Sequence, residues 1–149
     1  MKHYALIIYI FILFFCAGCL DFGENIEYSG SGIETKHIRS IQNFTGLTIP
    51  SDSINIKYYY HGNTIDPFWH YKAILSKTGY NKILQSKAYS EYKLVTKLHK
   101  PFIEQVVSWW HADKMRNASF TEKNSSTLVS CSIGKENEKY VLYLSGYTF

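Results

Sequence analysis

The chain is poor in the residues that nucleic-acid-binding and disulfide-stabilised domains depend on. Its 149 residues include three cysteines and only two arginines, Arg39 and Arg116. The formal net charge is +4 and the lysines are scattered, so the basic stripe of a nucleic-acid-binding surface is missing. We therefore expect no nucleic-acid partner.

The short motifs of common enzyme classes are also missing from the sequence. It contains no G-x-S-x-G nucleophile motif, no glycine-rich phosphate loop and no closed zinc spacing such as C-x-x-C paired with a second such pair. Carboxylates are present, but their spacing brings no two of them together. We therefore expect a protein that is not an enzyme and that needs no cofactor.

Apolar and aromatic residues, in contrast, are plentiful. Hydrophobic residues make up 46% of the chain and aromatic residues 17%, which is enough for one domain with its own core. This composition excludes an intrinsically disordered chain.

The N-terminus has the pattern of an export signal. Lys2 precedes an unbroken apolar and aromatic run over residues 4–15, and the small residues Ala17 and Gly18 then precede Cys19. The sequence Cys16-Ala17-Gly18-Cys19 resembles the lipobox of bacterial lipoproteins, with Cys16 where leucine is usual. The resemblance covers the first 20 residues and implies cleavage before Cys19 and acylation of its thiol.

This resemblance sets the expected organisation of the chain. It implies a signal peptide over residues 1–18, and the Gly- and Ser-containing residues 19–34 are expected to form a lipidated flexible tether. A single globular domain is expected over residues 35–149. The alternative is an uncleaved membrane anchor over residues 4–20. Both place the domain outside the cytoplasm, and Leu20 after the cysteine favours the outer over the inner membrane.

Cysteine usage follows from this organisation. Cys16 leaves with the signal peptide and Cys19 carries lipid, so Cys131 is the one thiol left and no disulfide forms within the mature chain. Alternation over residues 128–133 places Cys131 on the apolar face of a strand, which predicts a buried structural thiol.

Periodicity predicts an α+β domain. The three-residue spacing of Ile38, Ile41 and Phe44 predicts a helix over residues 35–44, with Thr35 as the candidate N-cap and Gly46 closing it. Helical spacing also predicts a second helix over about twelve residues after Gly79, and a third over residues 103–110 unless Trp109 and Trp110 are loop anchors. Residues 115–126 are predicted to be a polar loop. Alternation predicts strands over residues 54–61, 69–76, 92–99, 127–133 and 139–145. We expect a mainly antiparallel sheet of about five strands with two or three helices on one side.

One candidate site is a metal centre. His61 and His70 flank the loop of the first predicted hairpin, and alternation places them on the same polar face near Asp66. Such a trio could hold a metal ion for hydrolysis. Their spacing matches no known metal motif, and surface histidines are common in aromatic sheets.

A second candidate site is aromatic. Alternation sends Tyr58, Tyr60, Trp69 and Tyr71 to the helix-covered core and leaves other rings as candidates for an exposed binding surface: Tyr59, Phe68, Trp109 and Trp110. Exposed rings in an envelope protein suit either another envelope protein or a glycan such as peptidoglycan. The sequence therefore favours a membrane-anchored binding module, with a glycan-binding module as the first alternative and a metal-assisted hydrolase as the second.

Overall fold

The computed structural model describes residues 24–30, 33–62, 67–95, 107–124 and 127–148. The strands and α-helices in this part of the chain are, in order, β1 (Ile26–Ser29), α1 (Thr35–Thr45), β2 (Ile54–His61), β3 (Phe68–Leu75), α2 (Lys77–Leu84), α3 (Lys87–Ser90), β4 (Lys93–Leu94), β5 (Arg116–Asn124), β6 (Thr127–Glu136) and β7 (Lys139–Thr148). A short 3-10 helix (Ala112–Lys114) precedes β5.

The seven strands form one antiparallel sheet in the order β1-β2-β3-β7-β6-β5-β4. β1, β2 and β3 are neighbours in the sheet. The chain then passes through α2 and α3 to β4 at the opposite edge, and β5, β6 and β7 follow inward until β7 pairs with β3. The expected antiparallel α+β architecture is confirmed, with seven strands where we expected about five.

The first additional strand, β1, lies within the predicted tether. Ile26 to Ser29 pair with Tyr60 to Lys57 of β2, and the Tyr28 ring stacks on Tyr58 at 6.4 Å. Two alternating apolar residues are too few to predict a strand, so its formation depends on pairing with β2. The segment over residues 19–34 is therefore not a tether throughout.

The second additional strand, β5, was expected to be a polar loop, and that expectation is wrong. Residues 116–124 contain no large aliphatic side chain, so the alternation that marks a strand is missing from the sequence. Its backbone nevertheless pairs with β6 over most of its length and with the short β4 on its other side. Hydrogen bonding between strands rather than local pattern determines this element.

The first predicted helix is confirmed as α1. Its N-cap is Glu34 rather than Thr35, which is the first helical residue. Gly46 ends the helix in the left-handed conformation, φ 71°, as glycine does at this position in many helices. The second predicted helix is divided into α2 and α3, because Ser86 caps a new helix by accepting a hydrogen bond from the Tyr89 amide.

Several predicted elements change length. In the described part of the chain, the strand predicted over residues 92–99 is limited to β4. The first half of the helix predicted over residues 103–110 lies outside that part, and its second half, residues 107–110, forms a turn instead of a helix. The last hairpin is longer than predicted, because only Asn137 and Glu138 form its turn, with φ of 48° and 62°. Two positive φ values in succession are typical of tight hairpin turns.

The helices cover one face of the sheet. Ile41 of α1 and Ile83 of α2 pack there against Tyr58, Trp69 and Tyr71, the aromatic core residues that alternation predicted. Cys131 is fully buried in the same cluster, as expected. No helix in the described part of the chain is long and apolar enough to cross a membrane, and residues 4–20, the alternative uncleaved anchor, lie outside that part.

The opposite face of the sheet is covered too, which the sequence did not predict. Residues 107–115, here called the Trp segment, pack Trp109, Trp110 and Met115 against this face. A second apolar cluster therefore forms on the side of the sheet away from the helices.

Candidate functional site

The predicted exposed aromatic surface does not exist as predicted. Tyr59, Trp109 and Trp110 are each no more than 9% exposed, because the Trp segment buries them against the sheet. Phe68 is half-buried and packs on the ring of His61 at 4.7 Å. The expectation of exposure is wrong for these three rings, because the sequence did not indicate that the Trp segment packs on the face of the sheet opposite the helices.

The proposed metal trio is not assembled in the described residues. His61 and His70 do share a face, as alternation predicted, but His70 is 0% exposed and the face around it is aromatic rather than polar. The Nδ1 of His61 lies 3.1 Å from the Tyr59 hydroxyl. Asp66 lies outside the described residues, within which no three His, Cys, Asp or Glu side chains are placed to hold a metal ion.

His70 is enclosed by aromatic rings. Tyr59 stacks on it at 6.5 Å, and Trp110 meets it edge-on at 4.7 Å. Burial lowers the pKa of His70 to about 3, because the charged form would lose its hydration. The imidazole is therefore neutral near pH 7, and neither of its nitrogens has a hydrogen-bond partner among the described residues.

A row of polar side chains crosses the same face of the sheet. The strand registers place these side chains side by side on five neighbouring strands, in the order Tyr59, His70, Ser145, Ser130 and Glu122. The Ser130 hydroxyl lies 3.5 Å from a Glu122 carboxylate oxygen, whereas the buried Ser145 hydroxyl has no partner in the described part of the chain. The row depends on pairing between distant strands, so no local pattern in the sequence indicates it.

An open cleft lies on the other face, between α1 and the ends of β1, β2 and β3. Its volume is about 300 Å³, near the lower limit for ligand pockets. We call it the aromatic cleft, and its lining residues are Ile26, His37, Ser40, Ile41, Phe44, Tyr58, Tyr60, Pro67 and Trp69.

Aromatic rings form most of this cleft. Phe44 is 45% exposed, and its ring is stacked with that of Trp69 at 6.3 Å with an angle of 25° between the planes. Deeper in, His37 lies between Tyr28 and Tyr58, with ring centroids 5.3 Å and 5.1 Å away. The cleft therefore has the half-exposed ring of Phe44 on one side and rings that pack on other rings, those of His37 and Tyr58, on another.

The described lining of the aromatic cleft carries no carboxylate, ammonium or guanidinium group. Among the residues that the structure describes there, none is Asp, Glu, Lys or Arg, and burial lowers the pKa of His37, which favours the neutral imidazole. The Nε2 of His37 has no hydrogen-bond partner among the described residues. The cleft thus suits an uncharged, mainly apolar group, with His37 as a polar contact.

Two other depressions are larger than the aromatic cleft, but charged side chains contribute to their linings. One, of about 640 Å³, lies between the turn at Pro50 and α2 and has Asp52 and Lys82 in its lining. The other, of about 430 Å³, lies beside the β6–β7 turn and is lined by charged and polar residues, including Arg116 and Glu138. Neither contains an aromatic ring, whereas apolar and aromatic linings are typical of ligand pockets.

The sequence indicated only part of the aromatic cleft. The spacing of Ile38, Ile41 and Phe44 predicted one apolar face for α1, and Ile41 is buried as that pattern implies. Phe44, the last but one residue of α1, instead remains half-exposed beside the cleft.

The comparisons with known proteins found no relatives. No family model matches the chain, and no curated protein or solved structure matches it.

Proposed function

We propose that this protein is a lipid-anchored lipoprotein of the bacterial envelope whose α+β domain is a non-enzymatic binding module. Its binding site is the aromatic cleft, which receives an uncharged apolar group of an envelope partner. The observation that carries the proposal is the half-exposed Phe44 stacked on Trp69 at the opening of an uncharged, aromatic-lined cleft.

Burial of apolar surface supplies the driving force for this binding. Phe44 retains 45% of its surface in contact with solvent, so covering it on binding contributes roughly 1 kcal/mol. The ligand's own apolar surface adds to this gain. None of the described lining residues carries an ionised side chain, so none of them must lose the hydration of a charge when the cleft is filled.

The proposed anchor lies close to the cleft. Cys19 precedes Ile26, a cleft residue, by seven positions, and an extended chain of that length spans at most about 25 Å. Two or three acyl chains on Cys19 would hold the protein stably in a membrane. The cleft would then face partners at or near the membrane surface, with the outer membrane as the preferred site.

The anchor is tested by intact mass and membrane fractionation of the full chain expressed in bacteria. We expect a protein that begins at Cys19 with acyl mass added and that fractionates with membranes. Cys19→Ala should lose the acyl mass. If wild type and variant both keep the full 149-residue mass, the chain is an uncleaved anchor and the lipoprotein proposal fails.

The cleft is tested with small neutral probes and the full-length protein in nanodiscs. We expect N-acetylphenylalaninamide to shift the NMR signal of the Trp69 indole N–H, and Phe44→Ser to weaken that binding several-fold. The matched control is Leu94→Ser, because Leu94 is also exposed, at 78%, but lies on the opposite edge of the sheet. Equal binding by Phe44→Ser and wild type would contradict the proposal.

The same titration separates the glycan alternative. N-acetylglucosamine is uncharged and can stack on an aromatic ring, but it carries several hydroxyl groups that need partners. The polar side chains of the lining are few, with His37 and Ser40 among them. We therefore expect no binding of this sugar, and Phe44-dependent binding of the sugar alone would replace the proposal with the glycan-binding one.

A further inference from the structure

We propose that the Trp segment is a cover that acid releases from the sheet. When His70 takes up a proton, the segment moves away and exposes an aromatic surface, while the helix-covered face of the sheet stays folded. The cover lies on the face opposite the aromatic cleft, so this inference does not depend on ligand binding in that cleft.

The Trp segment is attached to the sheet through side chains. The backbone hydrogen bonds recorded for it in the described part of the chain are turn bonds that stay within the segment. Its contacts with the sheet are the bond from the Trp109 indole to Glu27 at 3.3 Å, a bond from the His111 backbone to the Tyr143 hydroxyl, and packed rings. A segment attached in this way can leave without breaking a strand ladder.

The rest of the fold has its own support. β3 is hydrogen-bonded to β2 on one side and to β7 on the other, and these pairs do not involve the Trp segment. The cluster that contains Ile41, Trp69 and Ile83 lies on the helix-covered face. Release of the Trp segment therefore leaves the strand pairing and the larger apolar cluster in place.

His70 lies beneath this cover. Trp110 meets its ring edge-on at 4.7 Å, and the rings of Tyr59 and Phe68 lie 6.5 Å and 5.6 Å away. Neither imidazole nitrogen has a hydrogen-bond partner among the described residues. A protonated imidazole carries a charge and two N–H donors, so it requires water that the closed arrangement keeps away.

The neighbouring strands supply no carboxylate beside His70 in the described part of the chain. Lys72, two positions along β3, would repel a charged imidazole, although it pairs with Glu136 at 2.7 Å. The strand registers place the nearby titratable side chains of β2, β3 and β7 on this face, and they are Lys57, Tyr59, His61, Lys72, Tyr143 and Tyr147.

The Trp segment and the outer strands supply the other titratable groups described around this face. These are His111, Asp113 and Lys114 of the segment, Glu27 of β1 and Glu122 of β5. Asp113 and Lys114 are exposed, and β7 and β6 separate Glu122 from β3. Burial, rather than any of these charges, lowers the pKa of His70, so exclusion of water keeps the ring neutral.

Opening of the cover is therefore coupled to pH. The pKa of His70 is about 3 under the cover and returns to the ordinary 6.5 once water reaches the ring, so the open form binds the proton between these values. The equilibrium constant for opening should rise about 25-fold from pH 7 to pH 5. Opening exposes the rings of Tyr59 and Phe68 and releases Trp109 and Trp110, which are covered at neutral pH.

The test is hydrogen exchange of the indole N–H groups in the full-length protein in nanodiscs. NMR measures each rate relative to that of N-acetyltryptophanamide at the same pH. Trp109 and Trp110 report on the cover, and Trp69, on the helix-covered face, is the internal control. We expect the protection of Trp109 to fall about 25-fold from pH 7 to pH 5 and to stay below that of Trp69 at both.

Low urea concentrations distinguish local opening from global unfolding. Local opening exposes little surface, so the exchange rate of Trp109 should hardly change between 0 and 1 M urea. The rate of Trp69 should rise several-fold over the same range, because it exchanges through global unfolding. Equal protection of Trp109 and Trp69 with the same urea dependence would overturn the proposal.

Three variants identify the group that takes up the proton. His70→Leu should make the protection of Trp109 nearly independent of pH, and His70→Phe serves if the leucine variant does not fold. His37→Leu removes a histidine from the other face and should keep the 25-fold effect. Glu27→Gln keeps an acceptor for Trp109 but does not titrate, so it should keep the effect as well. A pH effect that survives in His70→Leu, or that disappears in Glu27→Gln, would overturn the proposal.

Discussion

The indole Nε1 of Trp109 donates a hydrogen bond to the Oε1 of Glu27, 3.3 Å away. This bond joins the Trp segment, which covers one face of the sheet, to the edge strand β1. Residues 82 positions apart in the chain are thereby linked at the border of the sheet. The edge strand is thus connected to the cluster on one face through Glu27 and to the cluster on the other through Tyr28.

This bond should contribute to stability. We expect Glu27→Ala to lower the free energy of unfolding by about 1 kcal/mol, because the buried Trp109 loses its hydrogen-bond acceptor. Glu27→Gln keeps an acceptor oxygen and should recover most of that loss. Urea unfolding followed by tryptophan fluorescence measures both. Ser29→Ala, at another exposed position of β1, is the control.

The burial of His70 makes stability depend on pH. The pKa of His70 is lowered to about 3 in the folded protein, whereas an unfolded chain has the ordinary value of 6.5, so the unfolded state binds more protons between these values. Stability should therefore fall as the pH drops below 6.5, with a slope approaching about 1.4 kcal/mol per pH unit.

The variant His70→Leu isolates this effect. It replaces an imidazole whose nitrogens lack partners among the described residues with an apolar side chain. We expect the free energy of unfolding of the variant to change much less with pH between pH 5.5 and pH 7, because the titrating group has been removed. A small slope of the same sign should persist, because burial also lowers the pKa of His37. An unchanged slope in the variant would show that His70 is not the group responsible.

An ion pair on the same face should also contribute to stability. Lys72 Nζ lies 2.7 Å from the Glu136 carboxylate, which also accepts a hydrogen bond from Tyr143 at 2.9 Å. Burial alone would raise the pKa of Glu136, but the bonds from Lys72 and Tyr143 outweigh it and lower that pKa. Its contribution to stability is therefore present above the unfolded value of 4.5 and is lost as the pH falls.

Replacing one partner of this pair should lower the free energy of unfolding more than replacing both partners. We expect Lys72→Met to lower the free energy of unfolding by about 2 kcal/mol at pH 7, because a half-buried carboxylate loses its cation. The double variant Lys72→Met with Glu136→Gln should recover part of this loss. A double-mutant cycle in urea gives the coupling, and additive effects would contradict the account.

Gly146 supports the shape of the aromatic cleft. A Cβ atom at this position would lie 2.5 Å from the Trp69 ring, so the ring occupies the space that a side chain would need. We expect Gly146→Ala to push Trp69 away from the sheet, to lower the free energy of unfolding by about 2 kcal/mol and to weaken probe binding in the cleft. Unfolding and probe titration measure the two effects. Normal probe affinity in the variant would show that the position of Trp69 is not important for binding.

Local pattern predicted the elements whose apolar residues alternate or repeat at helical spacing. Residues 54–61 and 139–145 have such patterns, and β2 and β7 form there. β5 has no such pattern and forms because β6 supplies a partner, which is information from another part of the chain. The tight β6–β7 turn likewise follows from pairing that extends to Glu136 and Lys139.

The candidate site was harder to predict than the fold. Alternation correctly separated Tyr58 and Tyr59 onto opposite faces, but burial of the second face depends on the Trp segment, which is distant in sequence. The one ring contact recorded for Phe44 among the described residues is with Trp69 of β3, so its partial exposure depends on how α1 packs on a strand that follows it in the chain. Both features arise from the packing of distant segments, so no local spacing indicates them.

The central claim is that an uncharged apolar group binds between Phe44 and the end strands of the sheet. The most direct measurement is a set of intermolecular NOEs between the ring protons of N-acetylphenylalaninamide and the full-length protein in nanodiscs. We expect NOEs to the rings of Phe44 and Trp69, which stack at 6.3 Å, and their loss in Phe44→Ser but not in Leu94→Ser. NOEs confined to residues outside the aromatic cleft, or none at saturating probe, would contradict the account.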